Sequence, residues 1–337
     1  MLAEELLRRG TEAHYQDLAS LRQWFPVSLD PDTATVWWRF AGELRFTDPF
    51  FEDSLMTQAP DERRVCRTPL SALDCSLDHV PPTAFIFHVS RCGSTLLTQM
   101  LVALPQCIVM SEPPALDAFF RLHHRQPGQS GGLRTLRGLV AALGQRRAPD
   151  ERHFFIKFDS WHMPWMPFVR EAFPDTPIVL LYREPEQVLA SHKRQRGAQM
   201  VPGLMDTALL RPDMGGLAPG DLDAYAQRLL DAIFGEALHA VPSARPHLLN
   251  YNQLPAALWQ DLIPRWALDF SPGELHQLKK RAGFHSKHAE APFAGDPPSP
   301  PAGPEKEMGR RSPAAHAYAQ LEAARISCAT GRCLPSQ

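Results

Sequence analysis

Lysine is missing from the first 150 residues of this 337-residue chain, which holds six lysines against 29 arginines. Any anion site in that half must use arginine, a permanently charged, planar fork of donors. A basic surplus is also missing. The 35 Lys and Arg face 37 Asp and Glu, for a net charge of −2, so the footprint of a nucleic-acid binder is absent. The six cysteines form no CxxC pair, which argues against a disulfide framework or a zinc site and for reduced thiols in a cytoplasm. Fourteen histidines form no HExxH, and His123 and His124 are adjacent, so no resident metal is expected. No run approaches the ~20 apolar residues of a membrane span. Acids precede any apolar run in MLAEELLRRGTEAHYQDL, unlike a secretory signal. The expectation is a cytoplasmic protein with no membrane or nucleic-acid partner. Oligomeric state is not legible.

What is present is α/β alternation. A length of 337 residues suggests about two units at ~150 residues each. Residues 1–80 read as an N-terminal accessory region. Leu2–Leu7 and Tyr15–Trp24 carry helical apolar spacing, and Thr33–Phe40 reads as a strand. Trp24, Trp37, Trp38, Phe50 and Phe51 would form a small core or one wall of an acceptor pocket. Residues 81–290 hold short apolar runs at Ala84–Val89, Cys107–Met110, His153–Phe158, Pro177–Tyr182 and His247–Asn250. Helical patterns at Ser94–Leu104, within 114–148, at Pro164–Phe173, Glu184–Arg196, 221–239 and 273–282 separate them. That alternation predicts a parallel sheet covered on both faces. Residues 291–313 read as a linker, because 292–304 hold six prolines. Residues 314–337 form a tail, with a short helix at Ala314–Ile326.

The strongest local signal is Phe85-Ile-Phe-His-Val-Ser90-Arg91-Cys92-Gly93-Ser94-Thr95. A buried strand runs into a one-glycine turn, and Ser-Thr opens an amphipathic helix. Backbone N–H groups and a helix N-terminus converge there, which suits phosphate. Gly93 would let the backbone approach a ligand closely. Ser94 and Thr95 add hydroxyls, and Arg91 adds charge. An ordinary capped turn is the alternative. The turn is not GxxxxGK[ST]: His88 stands at the first glycine and Ser94 follows Gly93. Asp159 follows a strand broken by Lys157, so no clean second nucleotide motif supports a metal-dependent kinase.

Ser90-Arg-Cys-Gly-Ser-Thr-Leu-Leu97 resembles the phosphosulfate loop of sulfotransferases that use 3′-phosphoadenosine 5′-phosphosulfate (PAPS). Ser111-Glu112-Pro113 lies where several such groups, tyrosylprotein sulfotransferases among them, carry a Glu. Phe155-Ile-Lys157 resembles the family's strand ending near a Lys. Phe173-Pro-Asp-Thr-Pro-Ile-Val-Leu-Leu-Tyr-Arg183-Glu-Pro185 resembles its next strand. Ser191 follows Arg183 at the family's spacing for the 3′-phosphate pair, and Leu249-Asn-Tyr-Asn-Gln-Leu254 resembles a later strand. The resemblance spans about residues 84–290. It implies a three-layer, P-loop nucleotide-kinase-like parallel sheet with helices on both faces, and metal-free sulfuryl transfer from PAPS to a hydroxyl or amine.

The resemblance also implies roles. Arg91, Cys92, Gly93, Ser94 and Thr95 would hold the 5′-phosphosulfate, and Arg183 with Ser191 the 3′-phosphate. Lys287 would come from a closing basic loop, although the RKGxxG form of that loop is absent. Glu112 is the candidate general base, with a raised pKa expected. Arg91 and Lys157 would assist catalysis, with capping of the sheet as the alternative for Lys157. His162 is the rival base. Two other readings compete: a nucleotide-dependent phosphotransferase, and an inactive nucleotide-binding scaffold. Trp161 and Trp165 would line an acceptor site or the core. The acceptor itself is not legible.

Overall fold

The computed structural model describes residues 10–17, 20–30, 32–74, 77–287 and 312–329. The apolar run Leu2–Leu7, the proline-rich stretch 292–304 and the last eight residues lie outside these.

The N-terminal residues build a sheet of four strands in the order β1-β4-β3-β2. They are β1 (Thr11–Glu12), β2 (Trp24–Asp30), β3 (Thr35–Phe40) and β4 (Arg64–Pro69), with the short helix α1 (Phe51–Met56) between the last two. The expected helix at Tyr15–Trp24 does not form. Among the described residues of that range a 3-10 turn appears at Tyr15–Asp17, and Trp24 opens β2. Phe25, Val27 and Leu29 alternate inward, all but fully buried, and this two-residue period prevails once β3 is there to pair antiparallel with it. Trp24, Trp38 and Phe51 are core residues. Trp38 Nε1 donates to Thr68 Oγ1 at 2.8 Å.

The second sheet has five strands, all parallel, in the order β6-β7-β5-β8-β9. They are β5 (Pro82–His88), β6 (Cys107–Ser111), β7 (His153–Lys157), β8 (Ile178–Tyr182) and β9 (His247–Asn250). The connecting helices are α2 (Ser94–Val102), α3 (Pro114–Arg125), α4 (Gly132–Leu143), α5 (Met166–Ala172), α6 (Pro185–Arg194), α7 (Leu222–Ala244), α8 (Pro272–Ala282) and α9 (Pro313–Ala329). The strands are buried nearly end to end, as expected of a parallel sheet covered by helices. α2 packs on β6 and α8, whereas α7 packs on α5, α6 and α9. α3 and α4 rest against β2, so one continuous core joins both sheets.

The first strand in sequence, β5, is central, with β7 on one side and β8 on the other. In open sheets of this kind the crevice at the strands' carboxyl ends, where the order reverses, is where ligands bind. Among the described residues, no helix is long and apolar enough to cross a membrane. Cys66, Cys92 and Cys107 are buried free thiols.

Candidate active site

Parallel registry brings the strand ends together along one edge. Ser111 lies opposite Lys157, His88 opposite Leu181, and Tyr182 opposite Asn250. Four expected site residues, Arg91, Glu112, Lys157 and Arg183, sit at or just past these ends.

The turn after β5 is tightly wound. Ser90 (φ 74°), Arg91 (φ 46°) and Gly93 (φ 86°) all adopt left-handed backbone, which costs a non-glycine residue about 1–3 kcal/mol. Side chains hold the turn in place. The Ser90 N–H donates to His88 Nδ1 at 3.1 Å, and Ser90 Oγ lies 3.1 Å from both His192 Nε2 and Gln199 Nε2. His192 Nδ1 accepts from the Gly197 N–H at 3.2 Å, so its Nε2 carries the proton and donates to Ser90. Gly93 is the N-cap of α2, and no side chain caps it. The first-turn N–H groups, which an α-helix leaves without internal partners, therefore start just past the carboxyl end of β5 with no side-chain cap at Gly93.

Gly93 has a packing reason of its own: a Cβ there would lie 2.8 Å from the Tyr251 ring and 2.9 Å from Leu254, so no side chain fits at this position. Cys92 also departs from its expected role. Its side chain is buried, donates to the Leu181 carbonyl at 3.2 Å and is pushed up to about 12 by burial. It packs under the turn as a neutral thiol and offers a ligand no side-chain contact.

Lys157 occupies the middle of the site, with its side chain 0% exposed. Nζ lies 2.9 Å from Glu112 Oε1, 3.4 Å from Thr95 Oγ1 and 4.6 Å from the centre of the Phe50 ring. Lys287 approaches the same ring at 5.3 Å. Burial lowers the Lys287 pKa, and the charges of Arg91 and Lys157 lower it further. Three cations thus gather around one uncapped helix end, the electrostatic mark of an anion site. The Arg91 guanidinium also donates to the Gln195 carbonyl. Arg183 Nε donates to Gln187 Oε1 at 2.8 Å, and its guanidinium lies 4.1 Å from the Tyr251 ring centre. Ser191 lies one turn beyond Gln187 on the same face of α6.

Glu112, itself left-handed at φ 57°, is held as a carboxylate, against the raised pKa expected for it. Burial alone would raise its pKa, but the Lys157 ammonium and the His88 hydrogen bond at 3.2 Å outweigh burial and hold it well below the usual carboxylate range. The expectation of a raised pKa missed Lys157 because a cation one strand away leaves no mark on the local sequence. His162 is not an open base. It is buried, with Nε2 3.0 Å from Asp117 Oδ1 and Nδ1 accepting from the Asp159 N–H at 3.3 Å. Asp117 also accepts from Trp161 Nε1 at 2.7 Å and Arg121 Nε at 2.6 Å. Trp161 belongs to this buried network and to the core.

His88, Asp159 and Tyr251 stand at the candidate site without having been given a role there from the sequence. His88 and Asp159 carry a readable signal: each is a polar residue at or just beyond the end of a buried strand. Phe50, read as part of a small core or one wall of an acceptor pocket, reaches Lys157 and Lys287 from the N-terminal unit. Among the described residues, no group of three His, Cys, Asp or Glu side chains is placed to hold a metal ion.

No curated protein matches the chain in sequence. Among solved structures, it is similar to sulfotransferase STF1 from Mycobacterium tuberculosis H37Rv at 13% identity and a TM-score of 0.38, covering 61% of this chain and 72% of that one. It is similar to sulfotransferase STF9 from Mycobacterium avium at 13% identity and a TM-score of 0.38, covering 62% of this chain and 69% of that one. The model of the Sulfotransferase family matches residues 82–262, from the first residue of β5 to beyond β9. That stretch is more than half of the chain and contains every strand of the parallel sheet, and the chain belongs to the sulfotransferase family.

Proposed function

We propose that the protein transfers a sulfuryl group from PAPS to a hydroxyl or amine acceptor, with Glu112 as general base. The observation that carries this reading is the placement of Lys157, shared between Glu112 at 2.9 Å and Thr95 on the turn at 3.4 Å. One cation thereby touches both the candidate base and the candidate anion cradle. The uncapped first turn of α2, with Ser94, Thr95 and Arg91, would hold the 5′-phosphosulfate. Arg183 and Ser191 would hold the 3′-phosphate, and Lys287 would add charge from the loop after α8. Two separated anion sites suit a 3′,5′-bisphosphate.

The reaction breaks the bond from sulfur to the 5′-phosphate oxygen and forms a bond from sulfur to the acceptor. Negative charge grows on the leaving phosphate, where fixed donors at the turn stabilise it. The acceptor's proton passes to Glu112. Lys157 links the two events. As charge grows at the turn, Lys157 is drawn toward it, Glu112 loses its counter-charge, and its affinity for a proton rises at the moment one is released.

The test compares thermal stabilisation by adenosine 3′,5′-bisphosphate with that by ATP and Mg²⁺. A ligand at 100 times its Kd adds about 2.7 kcal/mol. Stabilisation by the bisphosphate, lost in Arg183→Ala and kept in Glu112→Gln, supports the reading. Stabilisation by Mg-ATP alone refutes it and favours a phosphotransferase. No stabilisation by either favours a scaffold without nucleotide.

A further inference from the structure

Gln99 is buried and follows Thr95 by four residues on α2, so the two side chains share one helix face. Thr95 turns to Lys157, with its Oγ1 3.4 Å from Nζ. Gln99 reaches two loops from opposite ends of the chain. Its Nε2 donates to the Thr47 carbonyl at 2.9 Å, in the loop that leads to Phe50. Its Oε1 accepts from Arg281 Nη2 at 2.8 Å. Arg281 in turn donates to the His285 carbonyl at 3.3 Å, and His285 Nδ1 accepts from the Lys287 N–H at 3.2 Å. Both paths close on one ring: Lys157 Nζ and Lys287 Nζ lie over Phe50, 4.6 Å and 5.3 Å from its centre. The two loops lie outside residues 82–262, whereas Gln99 lies inside.

We propose that Gln99 is a positioning residue that latches the Phe50 loop and the Lys287 loop to the helix opening the anion cradle, so that the N-terminal unit completes the site with a ring that holds two of its cations. The residue type is what the junction demands. A carbonyl only accepts and a guanidinium only donates, and one carboxamide serves both. Phe50 is steadied on its other side as well: the Asp48 N–H donates to Ser54 Oγ at 3.1 Å, and Phe51 stacks on Phe46 in the core with ring centres 4.7 Å apart. The ring has work to do. Two ammonium groups brought to one anion site repel each other, and a lysine on a loop extends its charge into water unless something holds it. An aromatic face attracts both, and it leaves their N–H groups free for a ligand.

The proposed donor site is assumed only in the second of two measurements. The first needs no ligand. In protein labelled with ¹³C-lysine, the ε-methylene signals of the six lysines are assigned by single Lys→Arg variants. The Lys287 signal is expected to be displaced by the Phe50 ring current, and Phe50→Leu returns it to the position of an exposed lysine. Gln99→Leu returns it as well, because both loops are released. A Lys287 signal that lies at the exposed position in the parent overturns the proposal. So does a displacement that survives in folded Gln99→Leu, folding being checked by circular dichroism. Should that variant not fold, Arg281→Met releases the Lys287 loop alone and carries the same expectation and the same refutation.

The second measurement is the affinity of adenosine 3′,5′-bisphosphate in a cycle. Gln99→Leu is expected to weaken binding roughly tenfold in the parent, but by less than about twofold in the Phe50→Leu/Lys287→Met background, where the groups it positions are already gone. Equal weakening in both backgrounds overturns the positioning role, since a residue that merely stiffens α2 acts on the turn whether or not the two loops carry their side chains. If the bisphosphate does not bind the parent, the donor reading fails, while the Lys287 signal still decides the latch.

Discussion

Replacing Lys157 by methionine tests the centre of the site. The side chain is 0% exposed, and Glu112 opposite it is 20% exposed. Removing one partner of a buried pair leaves the other uncompensated, at a cost of about 3–5 kcal/mol. Glu112 keeps the His88 donor at 3.2 Å and some contact with solvent, which places Lys157→Met at the lower end, about 3 kcal/mol. Glu112→Gln alone leaves an ammonium buried without its counter-charge and is expected to cost a similar amount. The double variant removes both charges and is expected to cost only ~1–2 kcal/mol, so the coupling between the sites is about 4 kcal/mol. The assay is urea denaturation of the four proteins, with unfolding free energies combined in a cycle. The pH dependence provides a second reading. Lys157 depresses the Glu112 pKa in the folded state. A depressed carboxyl contributes stability that is present above its unfolded value and lost as pH falls. In Lys157→Met that depression is relieved, so less stability is lost on acidification and the slope of stability against pH flattens below the unfolded carboxyl pKa. A Lys157→Met loss below about 1 kcal/mol, or additive single-variant losses, would refute the assignment of a coupled pair.

Other predictions concern the turn and its supports. Gly93→Ala places a Cβ 2.8 Å from Tyr251 at a φ of 86° and is expected to cost about 2–4 kcal/mol by thermal denaturation; Tyr251→Ala in the same chain should recover only the steric part. Cys92, held near 12 by burial, is expected to resist a thiol reagent in a variant where it is the sole cysteine, and to react at once in denaturant. Burial, Arg91 and Arg196 lower the His192 pKa from 6.5 to about 4, so the unfolded chain binds more protons between those values and stability falls as pH drops through that window. His192→Gln, measured across the same range, should flatten the slope; an unchanged slope would mean that another group carries it.

The parallel sheet was legible because each of its strands is a short apolar run, and such a run has no local alternative to burial. The helices were equally plain in their spacing, including the C-terminal one, which extends over Pro313–Ala329. The sequence reading left β2 unassigned, apart from Trp24, which closed the helical spacing at Tyr15–Trp24. The antiparallel partner that makes Phe25, Val27 and Leu29 a strand lies beyond a turn, in β3.

The sequence by itself determined which residue types stand at the strand ends: Arg91 and Gly93 after β5, Glu112 after β6, Lys157 closing β7, and Arg183 after β8. That much follows from chain order, because every strand of a parallel sheet delivers its end to the same edge. Only the tertiary structure decided what those residues do to one another. It turned Cys92 inward, set Tyr251 beside Gly93, brought Phe50 over from the N-terminal unit, and set Lys157 and His88 against the Glu112 charge. Charge state depends on burial and on neighbours within a few ångströms, and those neighbours come from strands far apart in the chain.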